Sequence, residues 1–362
     1  MKKAIRKIAL IVLAMLCLAS LTSVAAERPK KVILMIGDGM GIPHITATEF
    51  EKHHLSGLRR FKKLGLMTTF CANKYVTDSA AAATAMATGH KTNYTYVSVD
   101  PAEKPLKTVI EYAEEANKST GIVVTSAINH ATPAGFTAHV VNRNFYNDII
   151  EQQVNSGVDV MFGGGLANLI PNYMRGSRRK DDKDLMSQLR KRMPVVQTIE
   201  AFRQLGIPRS AAAILDYGHL PPASKRNYTL GELTSKAIQI LDRNDNGFFL
   251  MVEGSQIDLA AHKHDYERIM SEICDFDTAV NEALDFAQKD GNTLVVVTAD
   301  HETGGLTLPD GSLEEKKAQP HFSTDNHSAC MVAVFSYGPG SDNFTGIFDN
   351  TDIGKNLIEL VK

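Results

Sequence analysis

Six short apolar runs, each rich in β-branched residues and followed by polar residues, constrain the fold of this chain more than any other feature. Strands that are buried on both faces of a sheet are apolar throughout, whereas half-exposed strands alternate. Helical patterns separate the runs, and this order is typical of a parallel sheet. We predict an α/β fold, a three-layer sandwich with a mostly parallel, doubly wound central sheet. The runs are 31–36, 121–125, 158–162, 248–252, 293–298 and 331–335, and the helical patterns are 106–117, 230–241, 266–289 and 352–361.

The N-terminal segment, residues 1–26, has the pattern of a secretory signal peptide. Four basic residues precede an apolar segment, 8–18, and small side chains at 23–26 suit cleavage. The apolar segment is shorter than the ~20 residues that span a bilayer, so we expect no membrane span after cleavage. The prediction is a periplasmic or secreted protein in which residues 27–362 form a single catalytic domain.

The charge of the chain argues against nucleic acid as a partner. The formal net charge is −2, and removal of the signal with its four cations leaves about −6. Proteins that bind nucleic acid usually carry a basic patch, so we expect no nucleic-acid-specific binding. The charge run 175–183 favours a solvated surface loop over an anion-binding patch.

A serine stands at the start of an alanine run that favours a helix. The segment Thr77-Asp78-Ser79 leads directly into Ala80 to Ala83. The N-terminus of a helix carries unpaired N–H groups and the positive end of the helix dipole, so a serine there can hold or attack an anion such as phosphate. An ordinary N-cap is the alternative, and the metal-competent residues elsewhere in the chain favour the first interpretation.

Polar residues suited to metal binding follow several of the predicted strands. Ligands of open α/β sheets bind beyond the carboxyl ends of the strands, so these residues should share one edge. Two charged residues after a buried strand also need partners, and buried charges are paired or metal-bound. The residues concerned are Asp38, His130, Thr132, Arg143, Glu253, Asp258, His262, Asp300 and His301, with His327 just before the last strand.

Five segments, in this order, resemble the alkaline phosphatase family, and the resemblance runs from about Lys31 to the C-terminus. They are Gly37-Asp38-Gly39-Met40-Gly41; Thr77-Asp78-Ser79-Ala80-Ala81; Ala131-Thr132-Pro133-Ala134 with Ala138-His139-Val140-Val141-Asn142-Arg143; Val252-Glu253-Gly254 through Asp258 to His262; and Thr298-Ala299-Asp300-His301.

The resemblance implies a role for each site residue. Ser79 would be the nucleophile that becomes phosphorylated, and Arg143 would hold two phosphate oxygens. Two zinc ions and one magnesium ion would be bound by three ligand sets. The implied sets are Asp258, His262 and His327 for one zinc; Asp38, Asp300 and His301 for the second; and Thr132 and Glu253, with Asp38 bridging, for magnesium. Asp78 and His130 would lie next to the phosphate and the metal ligands and help to position them.

The activity implied by the resemblance is hydrolysis of small-molecule phosphate monoesters through a phosphoserine, with an alkaline optimum. The products would be inorganic phosphate and an alcohol, and a homodimer would be compatible with the family. Two alternatives stay open: a phosphodiesterase of the same metal-hydrolase superfamily, and a phosphate- or metal-binding protein without turnover.

Two residues depart from the family pattern. His130 stands where many bacterial members have aspartate, which would let zinc compete at the third site. Leu259 stands where some members have a side chain that reaches phosphate through water, which predicts weaker product binding. The segment 306–322 is expected to form a loop beside the site.

Overall fold

A computed structural model describes residues 28–52 and 55–362 of the chain. The predicted signal peptide, residues 1–26, lies outside the described residues. The strands are β1 Lys31–Gly37, β2 Lys63–Thr68, β3 Ser119–Ala127, β4 Val160–Gly164, β5 Val195–Val196, β6 Ala211–Ile214, β7 Phe248–Gly254, β8 Thr293–Thr298, β9 Glu302–Thr303, β10 Leu306–Ser312, β11 Lys317–Phe322, β12 His327–Ser328, β13 Val332–Tyr337 and β14 Gly346–Asp349.

The α-helices of the described residues are α1 Ile42–Glu51, α2 Ser79–Thr88, α3 Val109–Glu115, α4 Ala131–Thr137, α5 Tyr146–Asn155, α6 Leu166–Leu169, α7 Leu185–Arg192, α8 Ile199–Gln204, α9 Leu230–Leu241, α10 Gln256–Ala261, α11 Tyr266–Asp290 and α12 Asn350–Val361. No described helix is both long enough and apolar enough to span a bilayer.

Ten strands form one central sheet in the order β14-β2-β13-β8-β1-β7-β3-β4-β6-β5. Every pairing is parallel except those of β13, which runs antiparallel to both β8 and β2. The middle strands β7 and β8 are buried along their whole length, as expected for strands covered by helices on both faces. Helices α9 and α11 pack together, and α2, α4 and α12 form another packed group. The predicted α/β sandwich is confirmed.

The predicted strands lie within two residues of the observed ones. Helix α9 has the predicted bounds, but α3 begins at Val109 rather than 106. Thr108 accepts from the Glu111 amide, and the Glu111 side chain returns to the Thr108 amide, so this capping box fixes the start of the helix. The expectation of a loop at 306–322 is wrong, because β10 and β11 pair there as an antiparallel hairpin.

The alanine run makes α2 a helix that other elements approach closely. All ten residues of α2 are buried. A Cβ added to Gly135 of α4 would lie 2.6 Å from the Cβ of Ala83, so the two helices meet through their smallest side chains. Gly89, in the left-handed conformation at φ 74°, ends α2. This packing fixes the N-terminus of α2 at the carboxyl edge of the sheet.

Candidate active site

Three neighbouring strands bring carboxylates to one point of the sheet edge. In the register of the sheet, Ile36 of β1 lies opposite Glu253 of β7 and Thr298 of β8. Asp38 and Asp300 each come two residues beyond these positions, so the three acids lie close together. All three are fully buried. Like charges brought together in the interior need a compensating cation or bound protons.

Ser79 is the first residue of α2 and lies beside the carboxylates. Its hydroxyl oxygen is 3.3 Å from Nε2 of His301, and only 1% of the residue is exposed. Ser79 is not the cap of the helix, because Asp78 fills that position and accepts from the amides of Ala81 (3.2 Å) and Thr95 (3.0 Å). The hydroxyl of Ser79 is therefore free to react at the positive end of the helix dipole.

One group of ligand atoms consists of Asp258, His262 and His327. The Nε2 atoms of the two imidazoles face each other at 3.2 Å, and they lie 3.3 and 3.5 Å from Oδ1 of Asp258. Nδ1 of His262 is bonded to the Asp325 carbonyl (2.6 Å), and Nδ1 of His327 to the Thr77 carbonyl (2.8 Å). Each carbonyl accepts a hydrogen bond from Nδ1–H, so that the two Nε2 atoms, once unprotonated, direct their lone pairs at a common point, as in a metal site.

A second group surrounds His301. Its Nε2 lies 3.2 Å from Oδ2 of Asp300 and 3.6 Å from Oδ1 of Asp38. Its Nδ1 is 3.2 Å from the hydroxyl of Thr303, which itself donates to Asp258 at 2.6 Å. Nδ1 therefore donates to Thr303, and Nε2 is left as an acceptor beside two acids. Ligand atoms of Asp258, Asp38 and His301 also lie within 4.8 Å of one another, so the Asp258 carboxylate lies between the first two groups.

The third group is made of oxygen atoms and one imidazole. Carboxylate oxygens of Asp38 and Glu253 and a ring nitrogen of His130 lie within 4.8 Å of one another. Five buried atoms here have no hydrogen-bond partner among the described residues: both carboxylate oxygens of Asp38, Nδ1 of His130, Oε1 of Glu253 and Oγ1 of Thr132. Unpaired buried oxygens are costly unless a bound cation accepts them, and this donor set suits a hard divalent ion.

The pKa shifts reflect the burial of several carboxylates close to one another. Burial, together with the neighbouring acids, raises the pKa of Asp38 well above its ordinary value, and burial raises that of Glu253 to about 7. Burial would also raise the pKa of Asp258, but hydrogen bonds to His262 and His327 hold it well below its usual range. The Asp258 hydrogen bond raises the pKa of His262 to about 9. Protons bound to Asp38, Glu253 and His262 therefore compete with divalent cations for these ligand atoms.

Arg143 provides the fixed positive charge of the site. One guanidinium nitrogen donates to Oδ2 of Asp78 at 3.0 Å, and the other lies 3.4 Å from Nε2 of His130. Burial and the Arg143 charge hold the pKa of His130 well below its ordinary value, so its ring is neutral and can accept from the arginine. The guanidinium is thus oriented before any ligand arrives.

An open cavity of about 330 Å³ gives access to Ser79 and Arg143. Lys74, Tyr94 and Asn326 also line it, and sequence reasoning missed all three. The Lys74 ammonium lies 3.7 Å from the centre of the Tyr94 ring, a cation–π contact. A lone lysine or tyrosine in a polar loop gives no signal in a single sequence, so only the fold shows these residues at the mouth.

The structure brings every predicted site residue to one edge of the sheet. The residues are Asp38, Asp78, Ser79, His130, Thr132, Arg143, Glu253, Asp258, His262, Asp300, His301 and His327. Sequence reasoning missed Thr303, which links His301 to Asp258, and the carbonyls of Thr77 and Asp325. The role of each residue stays a prediction.

The sequence model of the alkaline phosphatase family matches residues 29–317 of this chain. Alkaline phosphatase 3 of Bacillus subtilis is 32% identical to it, over 93% of this chain and 90% of that protein. The alkaline phosphatase of Escherichia coli K12 is 31% identical, over 92% of this chain and 87% of that protein.

Solved structures agree with these sequence relatives. The alkaline phosphatase of the Antarctic bacterium TAB5 superposes with a TM-score of 0.85 at 37% identity, covering 93% of this chain and 98% of that one. A variant of the same enzyme, in which a histidine is replaced by glutamate, has Mg bound in its M3 site and superposes with a TM-score of 0.84.

Proposed function

The chain belongs to the alkaline phosphatase family and is a phosphate monoester hydrolase, and we propose that Ser79 is the nucleophile of its reaction. The observation that carries this proposal is the position of the Ser79 hydroxyl. It lies at the N-terminus of α2, 3.3 Å from Nε2 of His301, and next to buried carboxylates that lack partners. Attack on phosphorus by this hydroxyl, with loss of the alcohol, would leave a phosphoserine that water then hydrolyses.

We propose that the three groups of ligands hold two zinc ions and one magnesium ion. Asp258, His262 and His327 would hold one zinc; Asp38, Asp300 and His301 would hold the second; and Asp38, Thr132 and Glu253 would hold magnesium. The converging Nε2 atoms suit zinc, and the unpartnered oxygens suit magnesium. When bound, such cations neutralise the carboxylates, lower the pKa of the attacking groups and offset charge on the departing oxygen.

The protein's own groups would bind and orient the phosphoryl group. The guanidinium of Arg143, held by Asp78, would donate to two phosphoryl oxygens. The unpaired amides at the start of α2 would add donors where negative charge develops in the transition state. Asp78 would act as a positioning residue, because it fixes both the helix terminus and the arginine.

With cations bound, the cavity would favour the dianion of a monoester over the monoanion of a diester. Arg143 and Lys74 line it together with the acids Asp78 and Asp258, so the excess positive charge would come from the bound cations, and the open mouth suits small phosphomonoesters of varied alcohols. The phosphodiesterase alternative has no specific observation in its favour. The binding-protein alternative does not agree with the hydrolase family to which the chain belongs.

The test compares hydrolysis of a nitrophenyl phosphate and the matching diester by the metal-loaded enzyme and its Ser79→Ala variant. We expect faster turnover of the monoester and a loss of at least about a thousandfold in kcat for the variant. Asp78, not Ser79, caps α2, so the variant should fold normally, and its unfolding midpoint is the control. Monoester turnover that persists in the variant would contradict the proposal that Ser79 is the nucleophile.

His130 makes the third site a test of metal preference. Its ring nitrogen lies with Asp38 and Glu253, so zinc can compete there with magnesium. We expect His130→Asp to raise the magnesium content and lower the third-site zinc content, measured by elemental analysis after dialysis against both ions. The same metal ratio in both proteins would contradict this role for His130. The TAB5 variant with glutamate in place of a histidine, which has Mg bound in its M3 site, supports the expectation.

The remaining proposals concern the whole protein. The basic and apolar pattern of residues 1–26 supports export to the periplasm or beyond, which cell fractionation tests.

Residues 27–362 would unfold in one calorimetric transition if they form a single domain. A homodimer is compatible with the family, and sedimentation of the purified protein measures the assembly state.

A further inference from the structure

Two very short strands, β9 and β12, bring His327 to the side of His301. Strand β9 follows His301 directly, and β12 begins at His327. The strands pair antiparallel outside the ten-stranded sheet, with His327 opposite Thr303 and Ser328 opposite Glu302. The rings of His301 and His327 lie almost parallel, with centroids 3.5 Å apart. Because a ribbon of two such strands is marginally stable by itself, side-chain contacts must fix its position.

The two side chains of β9 point to opposite sides of the ribbon, as successive side chains of a strand do. Thr303 faces the ligand atoms, where its hydroxyl contacts Asp258 and His301. Glu302 points to the other side and is 2% exposed. It belongs to none of the three groups of ligand atoms found among the described residues. The proposed reaction therefore leaves this buried carboxylate, next in sequence to a metal ligand, without a role.

The Glu302 carboxylate joins the strand that carries His327 to the turn that follows β9. Its Oε2 accepts from the Ser328 hydroxyl of β12 and from the Gly305 amide at 3.1 Å. Its Oε1 accepts from the Leu306 amide at 3.0 Å. Hydrogen bonds to a carboxylate are roughly twice as strong as those between neutral groups. Donors from two segments of the chain thus meet at one buried side chain.

Packing confines the Glu302 side chain to this conformation. A Cβ added to Gly41 would collide with Cγ of Glu302, so the segment that follows Asp38 lies directly against the glutamate. The His44 ring of α1 lies nearby, with Nδ1 4.0 Å from Oε1 of Glu302. Burial lowers the pKa of His44 to about 4, so at neutral pH this ring does not compensate the carboxylate charge. A buried carboxylate depends on its hydrogen-bond donors, so the loss of one should have a measurable effect.

We propose that Glu302 is a positioning residue for His327, an inference that rests on the proposed zinc-binding role of that histidine. By holding Ser328, the carboxylate fixes β12 and places the neighbouring imidazole against His301. The Thr77 carbonyl orients the His327 ring through Nδ1, but this bond does not fix the backbone that carries the ring. Loss of the contact between Glu302 and Ser328 lets His327 move. The ligand group that contains His327 is therefore weakened more than the group around His301.

The test is competition for zinc with a chromophoric chelator, which measures the two zinc affinities of the full chain without a substrate. The variant His327→Asn identifies which affinity belongs to the group that contains His327. Glu302→Gln and Ser328→Ala should each weaken that site by about tenfold or more and change the other by less than about threefold. Ser328→Thr keeps the hydroxyl and should retain the affinity. Glu314→Gln, an exposed residue in the turn between β10 and β11, is the control and should change neither site.

Urea denaturation of the metal-free variants separates positioning from a merely structural role. A lower unfolding midpoint with both zinc affinities unchanged would overturn the inference, and so would equal weakening of the two sites. The double variant Glu302→Gln with Ser328→Ala should show less than additive losses of zinc affinity, because each substitution removes the same contact. Ser328 is only partly buried, so Ser328→Ala keeps the inference testable even where Glu302→Gln fails to fold. Failure of the proposed metal site would appear instead as a His327→Asn variant with both zinc affinities intact.

Discussion

Single imidazoles are oriented in this protein by the nitrogen that does not face the site. His262 and His327 each engage a backbone carbonyl through Nδ1, and His301 engages the hydroxyl of Thr303. The ring positions could be predicted from the sequence, because each histidine follows or precedes an apolar strand. The carbonyls of Asp325 and Thr77 could not, because a backbone acceptor has no residue type that reveals it.

A pH dependence of zinc binding follows from the His262 environment. The hydrogen bond that the His262 ring donates to Asp258 raises the pKa of His262 to about 9 in the cation-free protein. Below that pH the ring is protonated, and zinc must displace the proton. The apparent zinc affinity should therefore fall by up to about tenfold for each pH unit below 9 and level off above it.

A chelator competition titration at several pH values measures this slope. The His262→Asn variant is the control, because it should bind zinc more weakly and lose the part of the pH dependence that His262 contributes. An affinity that stays constant between pH 7 and 9 in the unsubstituted protein would contradict the assignment of His262 as a ligand.

Helices α2 and α4 pack closely through Ala83 and Gly135. The alanine run predicts a helix, and the ends of α9 and α11 were readable from their apolar periodicity. The start of α3 could not be predicted, because a capping box rather than the apolar periodicity sets it. The β10–β11 hairpin could not be predicted either, because its polar, exposed strands give no clear apolar pattern. Sequence patterns predict elements with a buried apolar face better than solvated ones.

The contact between α2 and α4 predicts a specific instability. In Gly135→Ala the new methyl group would lie 2.6 Å from the Cβ of Ala83, so the helices must separate and shift Ser79 at the end of α2. The free energy of unfolding should drop by about 1–3 kcal/mol, measured by urea denaturation. Gly206→Ala, with nothing within 4 Å of its Cβ, is the control and should change little. Equal stabilities of the two variants would contradict the close helix contact.

At the scale of the whole molecule, the site joins segments that are far apart along the chain. Asp38 and Ser79 come from the first third of the sequence and His301 from the last, yet Nε2 of His301 lies 3.6 Å from the Asp38 carboxylate and 3.3 Å from the Ser79 hydroxyl. The resemblance of short segments could predict this convergence, since carboxyl ends of parallel strands share an edge. The mouth of the Ser79 cavity could not be predicted, because Lys74, Tyr94 and Asn326 come from loops whose path the apolar pattern does not specify.

Removal of the cations should therefore destabilise the entire fold. Ions that bind the folded chain and not the unfolded one raise its stability in proportion to their affinity and concentration. We expect a lower Tm after dialysis against a strong chelator, measured by calorimetry, and recovery when zinc and magnesium are restored. If elemental analysis shows that the ions have been removed and Tm is unchanged, the claim that bound cations stabilise the folded chain would be contradicted.

The central claim is that the hydroxyl of Ser79 takes the phosphoryl group. The most direct measurement is mass spectrometry of peptides from the metal-loaded enzyme, quenched in acid during turnover of a nitrophenyl phosphate. Acid quenching should preserve a phosphate on the peptide that contains Ser79, and the chelated enzyme should lack it. A turning-over enzyme whose Ser79 peptide never carries phosphate, or whose phosphate sits on another residue, would contradict the account.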